Sequence, residues 1–153
     1  MTIAPIVHSV TVSAPPERAF ALFTGRMGGW WKPGMTIGAQ PHVEIVVEPR
    51  AGGRWFERDA QGNETDWGSV LAWEPPGRAL LGWQLNANFA FDPELVTEVE
   101  ITFVPVGTGT RVTLTHSRLE RYGDAADRVA AQLSGGWPTL VQMFADFAEG
   151  QDK

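Results

Sequence analysis

The sequence contains no cysteine. That excludes disulfides, thiol catalysis and cysteine-ligated metal, and it suits a reducing, cytoplasmic compartment. Histidine is scarce as well: His8, His42 and His116 are the only three. None has a partner at metal-ligand spacing, and there is no H-E-x-x-H run, so no metal and no cofactor are expected. No apolar run approaches the roughly 20 residues of a membrane span. The opening MTIAPIVHSV lacks the basic and apolar regions of a signal peptide, so the sequon Asn63-Glu64-Thr65 is expected to stay unmodified. Basic residues are few, 12 against 18 acidic, for a formal net charge of −6. They form no cluster, which argues against a nucleic-acid partner. Phosphate-loop and G-x-S-x-G signatures are missing. Asp59, Gln61 and Asn63 partly match a calcium loop. However, Glu64 stands where that loop needs glycine, and Val70 where it needs glutamate.

Tryptophan, by contrast, is abundant, with seven in 153 residues: Trp30, Trp31, Trp55, Trp67, Trp73, Trp83 and Trp137. Two readings follow, a large aromatic core or a cavity with aromatic walls. A chain of this length suggests one domain, able to bury roughly two-thirds of its unfolded surface without a staple.

Period-two patterning dominates the middle of the chain. IVHSVTV at the start reads as a strand, with Ile6, His8, Val10 and Val12 on one face. SAPPERAFALFTG reads as a short helix: Pro15 and Pro16 suit its first turn, and Ala19, Phe20 and Phe23 continue its apolar stripe. RMGGWWKPG reads as a glycine-rich turn presenting Trp30 and Trp31. Six strands follow, linked by turns such as PRAGG, AQGNE, EPPGR and VGTGT, which implies antiparallel neighbours. In these strands Val43, Ile45 and Val47 share a face, as do Leu81, Trp83 and Leu85, then Val99, Ile101 and Phe103, then Val112, Leu114 and His116. NANFAFDPE is a longer loop carrying Phe89 and Phe91.

The C-terminal region is helical, with Trp137, Leu140, Val141, Phe144, Phe147 and Ala148 on one stripe. LSGGWP interrupts it. Glycine costs about 1 kcal/mol in a helix interior and proline about 3. We therefore expect Leu133–Gly136 to end or kink a first helix, with Pro138 in the first turn of a second; a single helix starting near Ser134 is the alternative. Either way Gly135 and Gly136 would let the backbone approach the sheet, and Gly150 would cap the end. The expected class is α+β: one curved antiparallel sheet of about seven strands wrapped around a long C-terminal helix, with a short helical segment after the first strand.

The segments SAPPERAFALFT, EPRAGGRWFERDAQGNETDWGSVLAWEPPGRALLGWQL, VTEVEITFVPVGTGTRVTLTHSRLERYG and GGWPTLVQMF resemble the START-like (SRPBCC, helix-grip) superfamily. Within it they are similar to the branch named for the C-terminal domain of the activator of Hsp90 ATPase. The NANF…DPE loop and HSRLERYG look closer to a sub-branch that includes the calicheamicin self-sacrifice resistance protein. The resemblance covers residues 5–149 and implies a single START-like domain over 1–153. It also implies an apolar cavity between sheet and helix; members bind lipids, hormones, polyketides and other apolar molecules, and some are enzymes. Fold does not fix function here.

The candidate ligand-binding residues are Trp31, Phe56, Trp83, Phe89, Phe91, His116, Trp137, Val141 and Phe144. Parity does not say which of Trp55 and Phe56 faces inward. His116, on the covered face, is either a hydrogen-bonded core histidine or a polar handle in a cavity. No carboxylate pair is set up for acid–base work, and no catalytic residue is assigned. The expected partner is a small apolar molecule, and a homodimer is compatible with the sequence. Competing functions are an enzyme of cyclase or hydrolase type using His116, a chaperone-ATPase interaction protein, and sequestration of a reactive natural product. One START-like domain is expected, without an extra N-terminal chaperone-binding domain, and that expectation argues against the chaperone reading.

Overall fold

Residues 3–31, 37–38 and 40–151 are described by the computed structural model. In chain order they form β1 (Ile6–Val12), α1 (Pro16–Gly25), α2 (Met27–Trp30), β2 (His42–Val47), β3 (Arg54–Asp59), β4 (Glu64–Glu74), β5 (Arg78–Trp83), β6 (Thr97–Val106) and β7 (Gly109–Ser117). A 3-10 helix (Leu119–Ala125) and α3 (Ala126–Gln151) complete the order. The sheet runs β1-β7-β6-β5-β4-β3-β2, and every pair is antiparallel. β2 to β7 form a meander, with short turns from β2 to β5 and from β6 to β7 and a longer loop over 84–96 between β5 and β6. β1 closes the order by pairing with β7, so α1 and α2 carry the chain from one sheet edge to the other. The curled sheet and α3 make the helix-grip arrangement.

Proline explains the start of α1. Pro15 holds an extended N-cap (φ −67°, ψ 163°) and Pro16 takes the first helical position, where no N–H is needed. Its buried face, including Ala19, Phe20 and Phe23, follows the expected stripe. Strand faces also follow the alternation in β5, β6 and β7. The register Ile101↔Leu114 and Val99↔His116 puts those pairs on the covered face. Glu98 and Glu100 face out, where Glu100 meets Arg78 at 2.6 Å.

Five expectations need correction. Met27–Trp30 is a helical turn rather than a presenting loop, and Trp30 and Trp31 are buried. Its backbone lies against β2: a Cβ on Gly28 would sit 2.8 Å from the Ile45 nitrogen. Val43 does not share the face of Ile45 and Val47. A register shift between His42 and Glu44 turns it outward, to 61% exposure. The third correction concerns LSGGWP, which breaks nothing, since α3 is one helix from Ala126 with Pro138 inside it. The stripe explains why. Ala126, Val129 and Leu133 are buried in phase with Trp137, Leu140, Phe144 and Ala148, so tertiary burial outweighs local propensity. The carbonyl that Pro138 leaves without a donor belongs to Ser134, an exposed position where water serves. Finally, Gly135 and Gly136 make no close approach, because a Cβ at either would meet nothing within 4 Å. Gly150 lies within the helix and does not cap it.

At its far end α3 is tied to the β1–α1 junction. Glu149 accepts from the Ser13 backbone N–H at 2.6 Å and from its hydroxyl at 2.8 Å.

Candidate functional site

Between α3 and the covered face of the sheet, five tryptophans close a ring. Trp31 packs on Trp67 (centroids 4.8 Å), Trp67 on Trp55 (5.5 Å) and Trp55 on Trp83 (5.7 Å). Trp83 then packs on Trp137 (5.4 Å), and Trp137 returns to Trp31 (5.9 Å). The angles are tilted or edge-to-face, the arrangements that suit aromatic quadrupoles. Phe144 extends the cluster to Trp30 (5.5 Å) and Phe23 (4.9 Å). Flat rings meeting at steep angles leave narrow seams. Phe23, Met27, Trp30, Trp31, Trp55, Leu81, Val99, Ile101, Leu114 and Trp137 line about 180 Å³ of such space, none of it wide enough for a water molecule.

His116 stands at one side of this ring, fully buried. Trp137 Nε1–H donates to its Nδ1 at 3.0 Å. An indole nitrogen only donates, so Nδ1 must be the accepting atom and Nε2 carries the proton. That Nε2–H donates to Thr97 Oγ1 at 2.7 Å, and Thr97 Oγ1–H donates to the Trp83 carbonyl at 3.2 Å. Each proton in the chain has one acceptor. Burial pulls the imidazole down to about 3, so it is neutral at physiological pH. With both nitrogens engaged and so low a basicity, His116 is poorly suited to take a proton from a substrate. Next to it, Tyr122 donates to the Leu85 carbonyl at 2.6 Å. Burial pushes its phenol up, partly offset by the Trp83 indole and the Thr97 hydroxyl.

A buried carboxylate lies across the ring. Glu57 accepts from Trp67 Nε1–H at 2.8 Å and from the Ile37 backbone N–H at 2.6 Å. Sequence patterning gave no reason to select it. Trp55, Trp67, Thr97 and Tyr122 were missed with it. One signal was available for Trp55: Arg54, Phe56 and Arg58 form the alternate face of β3, and two arginines mark a solvent side.

That same alternation corrects Phe56. It lies on the outer face, beneath the Arg54 guanidinium at 4.0 Å and the Arg58 guanidinium at 5.4 Å. These arginines pair with Asp66, Glu64 and Glu44 in a surface network. Phe91 is not a wall of the ring either, for it pairs with Leu85 in an isolated bridge and is 37% exposed. Phe89 is half-buried against the core edge in a left-handed conformation (φ 60°), inside a loop that Asn86 ties by accepting from Asn88 and Ala90 N–H. The structure brings together Trp31, Trp83, His116 and Trp137, with Val141 and Phe144 buried on the same face of α3.

Among the described residues no group of three or more His, Asp or Glu could hold a metal ion, and no helix is long and apolar enough to cross a membrane. The family model for activator of Hsp90 ATPase homolog 1-like proteins matches residues 13–149. Among solved structures, an anthrahydroquino-γ-pyrone synthase, Txn09, is 35% identical with a TM-score of 0.66, covering 95% of this chain and 97% of that one. The self-sacrificing resistance protein CalC from Micromonospora echinospora is 32% identical with a TM-score of 0.72, covering 97% and 96%. An Aha1 dimer from Colwellia psychrerythraea shares the fold at 18% identity, with a TM-score of 0.66 over 96% and 97%. No curated protein matches the chain. The matched span takes in α1, the whole meander and nearly all of α3, and the chain belongs to the activator of Hsp90 ATPase homolog 1-like family.

Proposed function

We propose that this protein binds a small, mostly apolar aromatic molecule between α3 and the sheet. The observation that carries the reading is the ring of five tryptophans beside an apolar seam. A core selected for packing alone is served well by interdigitating aliphatic side chains. Indole faces leave slots instead, and a flat molecule fits such a slot. Pockets for drug-sized ligands run to about 300–1,000 Å³, so binding here requires the seam to widen. The similarity to Txn09, a synthase of an aromatic product by its name, supports the same ligand class. Titrating a panel of aromatic polyketides, fatty acids and sterols while following melting temperature and tryptophan emission tests it. Aromatic polyketides should raise the melting temperature in a saturable way, and a panel without any such ligand would refute the reading.

A second reading rests on the similarity to CalC. In it, the chain sequesters a reactive natural product and is consumed by it. Incubation with activated calicheamicin should then cut the chain at a defined site; an intact chain on a denaturing gel rejects this. The state of His116 gives no support to a third reading, acid–base catalysis through that residue.

A further inference from the structure

We infer that the bound molecule carries a neutral oxygen acceptor, a ketone or quinone carbonyl on a flat aromatic frame, held by the indole N–H groups of Trp55 and Trp83. This rests on the binding reading above and specifies its ligand. Most other polar groups of this interior are matched, His42 Nδ1 on β2 being the other buried side-chain atom without a partner among the described residues. Trp67 gives its N–H to Glu57, Trp137 to His116, and Trp30 to the Phe23 carbonyl at 3.3 Å. Trp55 Nε1 and Trp83 Nε1 are buried with no hydrogen-bond partner. Leaving a buried donor unmade is costly, and such groups in native interiors call for a cause. The Tyr122 hydroxyl lies against the Trp83 indole and eases its burial without forming a hydrogen bond to Nε1. Trp55 is therefore the donor on which the proposal chiefly rests, and it lines the seam.

The chemistry of the acceptor follows by elimination. An indole N–H donates only, so ammonium groups and plain hydrocarbons gain nothing from it. Water is a poor partner there, because the seam's lining is apolar and offers it no further hydrogen bonds. An anion would have to enter an interior in which no Lys or Arg among the described residues is buried, while the carboxylate of Glu57 is. A carbonyl oxygen meets these conditions. The Trp83 ring packs on Trp55, centroids 5.7 Å apart, and so neighbours the same seam.

Fluorene and 9-fluorenone share a flat tricyclic frame and differ by one carbonyl oxygen, which makes them the probes. Calorimetric titration of the wild-type chain should show fluorenone bound at least about fivefold more tightly, the worth of one good hydrogen bond. In Trp55→Phe, which also trims the wall that both probes would stack on, fluorenone should lose more affinity than fluorene, so that the ratio between them falls at least about twofold. Because that variant could be poorly folded, the wild type gives a second readout. With 15N-labelled tryptophan, fluorenone should move the indole N–H resonances of Trp55 and Trp83 downfield in proton shift, and fluorene should not. Equal binding of the two probes, or binding of fluorenone with those resonances unmoved, overturns the acceptor proposal and leaves the aromatic-ligand reading standing. Binding of neither probe counts against both.

Discussion

His116 is a histidine whose protonation the fold opposes, and this makes stability depend on pH in a predictable way. The unfolded chain binds the proton near 6.5 and the folded chain only near 3. The stability associated with the neutral ring is therefore complete above 6.5. It begins to fall below that pH and is fully lost once the pH passes below about 3. Between pH 7.5 and pH 5 the linkage integral amounts to about 2 kcal/mol, which for a chain of this size is roughly 4–8 °C in melting temperature. Asp59 and Glu64, whose carboxyls are held low by hydrogen bonds, add their own losses at still lower pH.

A difference between two proteins isolates the histidine. His116→Gln keeps an acceptor for Trp137 and a donor for Thr97 but does not titrate. Urea unfolding of both at pH 7.5 and pH 5 should show the wild type losing about 2 kcal/mol more than the variant, because every carboxylate contribution is common to both. The ring signals of His116 in the wild type should stay unshifted from pH 8 to pH 4. Parallel pH slopes, or a His116 resonance titrating near 6.5, would refute the argument that this imidazole is sealed and neutral.

Two glycines give predictions of opposite sign. Gly136 lies on α3 with open space around its Cα, so Gly136→Ala should stabilise by about 0.5–1 kcal/mol through helix propensity alone; a lower melting temperature would contradict the continuous helix. Gly68 on β4 is the reverse case, since a Cβ there would stand 1.7 Å from the Gly82 carbonyl oxygen. Gly68→Ala must force β4 and β5 apart and should cost about 3 kcal/mol or more, so an unchanged urea midpoint would show that the strands do not meet so closely.

The sheet was legible because alternation and short turns are local signals that tertiary packing reinforces. Antiparallel pairing of short-linked neighbours and the inward residues of β5, β6 and β7 follow from them, whereas the pairing of β1 with β7 does not. Failures fall where one local rule met a larger constraint. At Val43 a bulge moved the parity by one, and no residue type in HVEIVV announces it. At Gly135, Gly136 and Pro138 the propensity penalties are real, yet a stripe of buried side chains from Ala126 to Ala148 holds the turns together. Strand β3 was ambiguous because its covered face alternates a tryptophan with two acids, Glu57 and Asp59, so the usual contrast between inner and outer residues is blurred.

The same reasoning shows what parity can and cannot say about a site. It correctly aimed Trp83, His116 and Trp137 at one another, because each sits at an inward position of its own element. It could not say what completes them. The chain from Trp137 through His116 and Thr97 to the Trp83 carbonyl joins α3, β7, β6 and β5, and each link needs a donor opposite an acceptor. Apolar packing tolerates small slips between helix and sheet, whereas a buried hydrogen-bond chain does not, since a shift of one residue orphans several polar groups at once. The chain therefore fixes how α3 seats on the sheet at one end, as Glu149 does at the other. Between those two anchors lie the aromatic faces and the seam, whose walls are apolar although Trp137, one of them, is itself held by His116.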